Sequence, residues 1–254
     1  NAVDWRNNGN RPVGGIADHS PRLDSAICPS DPVGASVGVS QYPGGNPNSF
    51  PQRSSFNYRR SGGDSWRTGR SAFSVSRMAG ILDGLSLTVL LGEAVIGEQS
   101  RDISRGTAYI NSNYAHSVGP LTCYAAINSP SLQVLPDAGV NGTFGQPGSC
   151  WMCNSYGTEA TFYTVIPPNG PRCSTNNFPL NQASAGARLP ASSYHPGGAN
   201  VVMCDGSLRF ISDSIDCGGL PWTGDLGRTV PSTFGVWGRL GTPCSLEVID
   251  EGRL

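Results

Sequence analysis

Glycine and proline make up roughly one residue in five of this chain, with 34 glycines and 20 prolines among 254 residues. Both interrupt regular elements, glycine through its conformational freedom and proline through its missing N–H. Long helices are therefore excluded over most of the sequence. Hydrophobic residues still account for 37% of the chain, so we expect an ordered, loop-rich and mainly β domain with a core.

The balance of charges excludes several classes of function. The chain carries 17 basic and 18 acidic residues, a net charge of −1, and it has no basic patch suited to nucleic acid. Every basic residue is an arginine, which removes Schiff-base and P-loop lysine chemistry. The nearest approach to a basic cluster is Arg59, Arg60, Arg67 and Arg70 among serines and glycines, which we interpret as a solvated loop.

An even number of cysteines in such a chain favours disulfides formed in an oxidising compartment. The eight candidates are Cys28, Cys123, Cys150, Cys153, Cys173, Cys204, Cys217 and Cys244. We predict that most are bridged, with Cys150 or Cys153 paired to Cys173. A zinc site is the alternative, because Cys150 and Cys153 have C-x-x-C spacing, but no second ligand pair of that kind follows.

We interpret residues 1–254 as one domain, with an irregular arm at 1–78 and a sheet-containing core at 79–254. Residues 87–96 read as a buried strand, and the β-rich run 161–166 ends at two prolines. No apolar run approaches the ~20 residues of a membrane-spanning helix. The chain begins at Asn1 rather than Met, and we expect it to be a processed product or a fragment.

Residues 200–211 carry the clearest local pattern, two β-prone runs on either side of Asp205-Gly206. An Asp-Gly pair between such runs predicts a hairpin with a two-residue type I′ turn. Pairing across that turn sets Met203 opposite Leu208 and Val201 opposite Phe210. These four side chains are expected to share one buried face.

Five blocks of sequence, in order, resemble a large bacterial family of pilin-like proteins with an N-terminal prepilin cleavage and methylation helix and a C-terminal H-x9-D-G signature. In this chain the blocks are Ile27–Pro32, Ile81–Thr88 with Leu91–Glu93, Thr164–Cys173, Ser193–Gly206, and Trp237–Thr242 with Glu247–Ile249. Two features depart from the family pattern: its membrane helix is missing here, and Leu87 replaces the usual asparagine.

The resemblance implies an α+β, mainly β fold: a pilin-like or pseudopilin head with an antiparallel sheet and long disulfide-pinned loops, its N-terminal spine helix absent from this chain. It also singles out a set of structural motif residues. These are His195, Gly197, Gly198, Asp205, Gly206, Asp83, Gly84 and Glu93.

Catalytic interpretations are weaker than structural ones. His195 precedes the first hairpin strand and Asp205 lies in its turn, so an extended strand separates them by roughly 20 Å, too far for a catalytic pair. His195 is better interpreted as a loop anchor. No G-x-S-x-G elbow occurs, and the C-x-x-C pair lacks the βαβ setting of a thioredoxin-like site.

Calcium is the only cofactor that we consider. Acidic residues in loops are its natural ligands, although scattered acids are more often simply solvated. The candidates are Asp213, Asp216, Asp225, and the C-terminal Glu247, Asp250 and Glu251.

The expected function is therefore that of a non-enzymatic structural subunit of an extracellular filament or cell-envelope assembly. Its partners would be further copies of itself or other subunits, with no nucleic acid, and a membrane only through a segment absent from this chain. Its expected location is extracellular, cell-surface or periplasmic. The alternatives are a secreted glycan- or protein-binding module using Trp5, Trp66, Trp151 and Trp222, and, third, a thiol–disulfide enzyme.

Overall fold

The structure is a computed structural model. It describes residues 24–32, 56–64, 75, 77–96, 102, 124, 161–172, 189–219 and 229–249, and the backbone of 110–111, 127–128, 133–134 and 173–174.

Nine strands and one α-helix occur in these parts of the chain, with short 3₁₀ turns at Asp24–Ala26, Met78–Gly80 and Leu85–Leu87. The strands are β1 (Tyr58–Ser61), β2 (Val89–Glu93), β3 (Ile110–Asn111), β4 (Ile127–Asn128), β5 (Gln133–Val134), β6 (Thr161–Phe162), β7 (Cys173–Ser174), β8 (Gly198–Met203) and β9 (Leu208–Ser212). The helix, α1, spans Gly235–Gly241. The mainly β composition expected from the sequence is confirmed.

Five strands form the main sheet, in the order β6-β1-β2-β8-β9. All neighbours are antiparallel except β1 and β6, which run parallel. The expectation of an antiparallel sheet is thus corrected to a mixed one, because β6 comes back to β1 from a distant part of the chain rather than through a hairpin. Two further pairs lie outside it, β3 with β7 and β4 with β5.

Strand β1 comes from the region that the sequence suggested was irregular. It lies inside the sheet, between β2 and β6. Within it, Arg59 is only 1% exposed, so its interpretation as part of a solvated loop is wrong. The cause is the alternation of a strand, in which Arg59 faces opposite to its exposed neighbours Tyr58 and Arg60.

The strands predicted from apolar runs are present but shorter than the runs. Residues 87–96 supply β2 at Val89–Glu93, after a 3₁₀ turn that contains Leu87, and Leu87 packs against the core. Of the run 161–166, only Thr161–Phe162 forms a strand. The chain then leaves the sheet edge, and Tyr163 N donates to Leu189 O at 2.7 Å.

One hydrophobic cluster packs between the sheet and helix α1. Phe162 and Trp237 are its aromatic centre, with ring centroids 6.3 Å apart and planes 20° apart. Trp237 is fully buried, and its indole N–H donates to Ile166 O at 2.9 Å, which satisfies the polar end of the ring. Further members are Val89, Ala199, Val201, Met203, Ile211, Val236 and Leu240.

The predicted hairpin exists, but its register differs by one residue. Val202 pairs with Leu208 and Val201 with Arg209. Since side chains alternate between faces, the slip moves Leu208 and Phe210 to the outer face, where they are 68% and 49% exposed. The prediction that they share the buried face with Val201 and Met203 is therefore wrong.

The turn explains the slip. Gly206 N donates to Met203 O at 3.0 Å and Met203 N donates to Ser207 O at 2.9 Å, so the loop contains three residues rather than two. Gly206 has φ +86°, the left-handed conformation that closes a three-residue hairpin loop.

In the described ranges no helix is long and apolar enough to cross a bilayer.

Candidate functional site

Cys28, Glu93 and His195 meet at the end of β2, and we refer to them as the Cys–Glu–His cluster. Cys28 Sγ lies 3.7 Å from Glu93 Oε1 and 3.7 Å from His195 Nε2. Glu93 Oε1 lies 3.3 Å from the same imidazole nitrogen. Three single atoms of different chemistry therefore face one another, although they come from widely separated parts of the chain.

The loop that carries Cys28 is fixed by a second layer of polar side chains. Cys28 N donates to Asn57 Oδ1 at 2.8 Å. Asn57 Nδ2 in turn donates to Asp31 Oδ2 at 2.6 Å, and the same carboxylate accepts Ile96 N at 2.9 Å. The loop is thus tied both to the residue before β1 and to the segment after β2.

Glu93 uses its two oxygens differently. Oε2 accepts two donors from Asn200, the backbone N at 2.8 Å and the side-chain Nδ2 at 3.1 Å. Those bonds hold the carboxylate in one orientation, with Oε1 directed at Cys28 and His195. Glu93 is 4% exposed, so its carboxylate is a buried member of the cluster.

His195 is positioned by the loop before β8. Its backbone N donates to Ser193 Oγ at 3.0 Å, and Ser193 Oγ donates to Gly198 O at 2.6 Å. Asn169 bonds to the same loop through Ser193 N and Gly198 O. The imidazole itself is 32% exposed, which makes it the solvent-facing member of the cluster.

The two glycines after His195 are required by the backbone conformation. Gly197 has φ +82° and its carbonyl accepts Asp213 N at 2.9 Å. A Cβ on Gly198 would lie 2.1 Å from Ile211 O of the paired strand. Only glycine allows β8 to begin this close to β9.

The cluster is not arranged as a catalytic relay. In a catalytic relay made of a cysteine, a histidine and an acidic residue, the thiol and the carboxylate contact different nitrogens of the imidazole. Here both face Nε2, which cannot accept from one and donate to the other at the same time. Burial, and after it the charge of Glu93, raises the pKa of the Cys28 thiol, whereas a reactive cysteine needs a lowered one.

Two further described thiols are also unsuited to exchange chemistry. Burial, with a smaller contribution from Asp205, raises the pKa of Cys204 to about 11. Burial, with Asp216 second, raises the pKa of Cys217 to about 12. Both remain protonated at neutral pH.

A small cavity adjoins the cluster. Its lining includes Cys28, Glu93, Asp31, Asn57 and Ser192. Val95 and Tyr194 also line it, and although many of the lining residues are polar, the wall that they present to the cavity is mainly apolar.

Asp83, from the same sequence block as Glu93, lies before β2 and forms a separate network. Its Oδ2 accepts Ser245 N at 2.9 Å and its Oδ1 accepts Leu246 N. The Thr242 hydroxyl lies 3.1 Å from Asp83 and 2.9 Å from Glu247. Asp83 thereby ties the start of β2 to the segment after α1. Gly84, with φ +99°, turns the chain between Asp83 and the next 3₁₀ turn.

The Asp205-Gly206 tip of the hairpin is a third, exposed site. Asp205 Oδ1 accepts Ser207 N at 2.8 Å and Ser207 Oγ at 2.6 Å. These two bonds from Ser207 lower the pKa of Asp205. Asp205 and His195 lie at opposite ends of β8, as the sequence predicted.

The disulfide prediction fails for the four described cysteines. Cys28, Cys204, Cys217 and Cys244 are free. Cys28 faces Glu93 and His195, and Cys244 Sγ lies 3.1 Å from Gly80 O, so both sulfurs have polar partners other than a second sulfur. The side chains of Cys123, Cys150, Cys153 and Cys173, including the predicted bridge to Cys173, lie outside the described residues.

The calcium candidates are not brought together. Asp213 and Asp216 are exposed, and neither belongs to a group of three or more possible ligands among the residues that the structure describes. Asp216 instead caps a turn, accepting Gly218 N at 2.8 Å. Asp225, Asp250 and Glu251 lie outside the described residues, as do Trp5, Trp66, Trp151 and Trp222.

The sequence singled out every member of the cluster, but never as a group. Cys28 was placed among disulfide candidates, while Glu93 and His195 were separate motif residues. The usable signal was that all three occur in the sequence blocks that resemble one family pattern.

Comparison with known proteins gives one match. A family model described as a protein of unknown function (DUF1559) matches residues 1–218. No curated protein and no solved structure matches the chain. Because the match covers most of the sequence, the chain belongs to the DUF1559 family.

Proposed function

We propose that this chain is a non-enzymatic structural subunit of an extracellular filament or cell-envelope assembly, built as a pilin-like head. The resemblance of five ordered blocks to pilin-like proteins supports the assignment. The single observation that carries it is an apolar strand at the edge of the sheet, where a second subunit can add.

Strand β9 is that edge. Among the described strands it pairs only with β8. Its outer face presents Leu208 and Phe210, 68% and 49% exposed. The register places Leu208 beside Val202, and Val202 beside Leu91 of β2. The exposed residues therefore continue a row of partly buried apolar side chains rather than standing alone.

Such an edge is unusual in a protein that stays monomeric. Edge strands are normally protected by lysine, proline, a bulge or an inward charge, because unpaired backbone groups recruit other strands. The outer face of β9 carries Leu208, Phe210 and Ser212, none of which is charged, and Arg209, the one charged residue of the strand, lies on the opposite face beside Val201.

The occupant that fits best is β9 of a second copy. The strand has five residues with Phe210 at its centre. An antiparallel pairing about a two-fold axis at Phe210 would set the two phenyl rings side by side and Leu208 opposite Ser212. This contact is self-complementary, places no like charges opposite one another on the outer face, and joins the two sheets into one.

The roles of the motif residues agree with a structural function. Asp83 and Glu93 both accept hydrogen bonds from backbone N–H groups more than a hundred residues away in the chain, those of Ser245 and Asn200. These residues organise loops around the sheet. The cysteines outside the described residues remain the candidates for disulfides that pin the longer loops.

The test is the oligomeric state of the purified chain. We expect concentration-dependent self-association in sedimentation velocity, and a shift to monomer in Phe210→Arg because the charge would be buried at the two-fold contact. Val248→Arg is the matched control, since Val248 is 86% exposed and belongs to no strand. A wild-type chain that is monomeric at every concentration, or a Phe210→Arg variant that associates like wild type, would contradict the proposal.

A further inference from the structure

We propose that Cys28, Glu93 and His195 form a binding site for a divalent transition metal, with zinc as the best-fitting ion. This inference does not depend on the assembly proposal. It rests on how three ligand atoms are placed relative to one another.

The distances within the cluster match the edges of a coordination tetrahedron. With Zn–S of about 2.3 Å and Zn–N and Zn–O of about 2.0–2.1 Å, tetrahedral angles put sulfur about 3.6 Å from nitrogen or oxygen, and nitrogen about 3.3–3.4 Å from oxygen. The cluster has 3.7 and 3.7 Å for the two sulfur edges and 3.3 Å for the nitrogen–oxygen edge. One ion can therefore contact Sγ, Oε1 and Nε2 without moving the loops that carry them.

The chemistry of the three atoms selects the class of ion. Thiolate, imidazole and carboxylate together suit a borderline-soft cation such as Zn²⁺ and do not suit Ca²⁺ or Mg²⁺, which prefer oxygen. A Cys28 thiolate and the Glu93 carboxylate balance a charge of +2, which a buried site requires. On binding, the proton of the Cys28 thiol leaves to solvent, and His195 supplies the lone pair of Nε2.

The residues around the cluster hold its ligands by hydrogen bonds, as the residues around a metal site do. Asn200 holds the non-ligating oxygen of Glu93 with two hydrogen bonds, and Asn57 holds the backbone of Cys28. Such contacts orient ligands and raise affinity. The three ligands leave one tetrahedral position, which water can occupy on the side where His195 is exposed.

The site would join three remote segments through one ion. Cys28 comes from the loop before β1, Glu93 ends β2, and His195 precedes β8. A metal here would stabilise the fold, because the ligands converge only in the folded chain.

The experiment is metal counting on the full chain. The protein is stripped with a chelator under reducing conditions, dialysed against Zn²⁺ and analysed by elemental mass spectrometry. We expect Cys28→Ser and His195→Gln each to hold one zinc fewer per chain than wild type. Cys204→Ser, which alters another buried free thiol outside the cluster, should bind as wild type.

Cobalt(II) gives a second readout. We expect a thiolate-to-metal charge-transfer band in the near ultraviolet with wild type and Cys204→Ser, and a loss of the Cys28-dependent part of that band in Cys28→Ser. His195→Gln guards against a folding failure, because its side chain is partly exposed. Equal zinc content in wild type and both cluster variants, or a cobalt spectrum unchanged by Cys28→Ser, would overturn the proposal.

Discussion

Strand β2 lies between two buried carboxylates that come from one sequence block yet behave differently. Asp83, before the strand, accepts backbone donors from Ser245 and Leu246 and is close to a third donor, the Thr242 hydroxyl. Glu93, at the end of the strand, is held through one oxygen by Asn200 and directs the other at a thiol and an imidazole.

We call the hydrogen bonds around Asp83 a closed network, because most of its donors are backbone groups, and those around Glu93 an open network, because one of its oxygens contacts side chains instead. The donors at Asp83 are mostly fixed backbone groups, so this carboxylate can only bind the chain to itself. Glu93 has one oxygen, Oε1, beside two side chains, Cys28 and His195, that are not fixed backbone groups. Burial and sequence context alone do not distinguish the two; the identity of the donors does.

The largest expected effect is the loss of the closed network. Asp83→Ala leaves the buried Ser245 N and the part-buried Leu246 N without their acceptor, and a buried donor stranded in this way costs about 1–3 kcal/mol. We expect the free energy of unfolding to fall by about 3–4 kcal/mol, as measured by urea denaturation. Asp213→Ala, at an exposed position, should change it by less than about 0.5 kcal/mol. If both variants have the same stability, Asp83 does not hold the C-terminal segment.

A metal titration tests whether the carboxylate of Glu93 can bind an ion. Zinc at 100 times its Kd should raise the free energy of unfolding of wild type by about 2.7 kcal/mol. Glu93→Gln should abolish that increment, because the amide carries no negative charge to balance the ion. Asp83→Asn should keep the increment although its starting stability is lower. Thermal melts with and without zinc measure both, and an increment retained in Glu93→Gln would remove the distinction between the two carboxylates.

The hairpin tip lies at the Asp83 end of β2, where Cys204 N donates to Thr88 O at 2.8 Å and Asp205 N to Leu85 O at 3.1 Å. We expect Gly206→Val to destabilise the fold by about 1–2 kcal/mol, since a β-branched residue resists positive φ. No atom lies within 4 Å of a Cβ built there, so the cost is backbone strain alone. Gly206→Asn, which tolerates this conformation better, should cost less in the same denaturation experiment. Equal costs for the two would point to a cause other than φ.

The smallest effect is expected from the side chain of Asp205, an exposed carboxylate that accepts hydrogen bonds from the neighbouring Ser207. Its folded pKa lies below its usual value of 3.8, so its contribution is present above pH 4 and is lost as the pH falls through the lower folded value. Asp205→Ala should lower Tm slightly at pH 7, and its difference from wild type should shrink as the pH is taken below 4. A difference that grows in acid would have the wrong sign.

The hairpin shows how much of the structure the local sequence pattern predicts. Its strands follow from β-prone residues on either side of Asp205-Gly206, and that part of the prediction is confirmed. The register was not predictable, because Asp-Gly is compatible with loops of two or three residues. The three-residue loop is accompanied by two long-range hydrogen bonds. Cys204 N donates to Thr88 O and Asp205 N donates to Leu85 O, each more than a hundred residues away in the chain.

Arg59 illustrates the same limit in a different way. Its neighbours are polar and glycine-rich, so local composition predicted a solvated loop. The strand is instead stabilised by pairing with β2 on one side and β6 on the other, and those partners supply the burial that the local sequence lacks. Burial in a sheet depends on non-local neighbours, which composition does not contain.

The sequence by itself determined the mainly β class, the hairpin, the family resemblance and the choice of Glu93, Asp83 and His195 as motif residues, because these depend on residue type and short-range order. Only the tertiary structure decided that Cys28 meets Glu93 and His195, that Asp83 bonds instead to the segment after α1, and that Leu208 and Phe210 face outward. The physical reason is that a contact between residues 65 or 167 positions apart is selected by the packing of the whole sheet. A one-residue change of register, invisible in the pattern, reverses which face of a strand is buried.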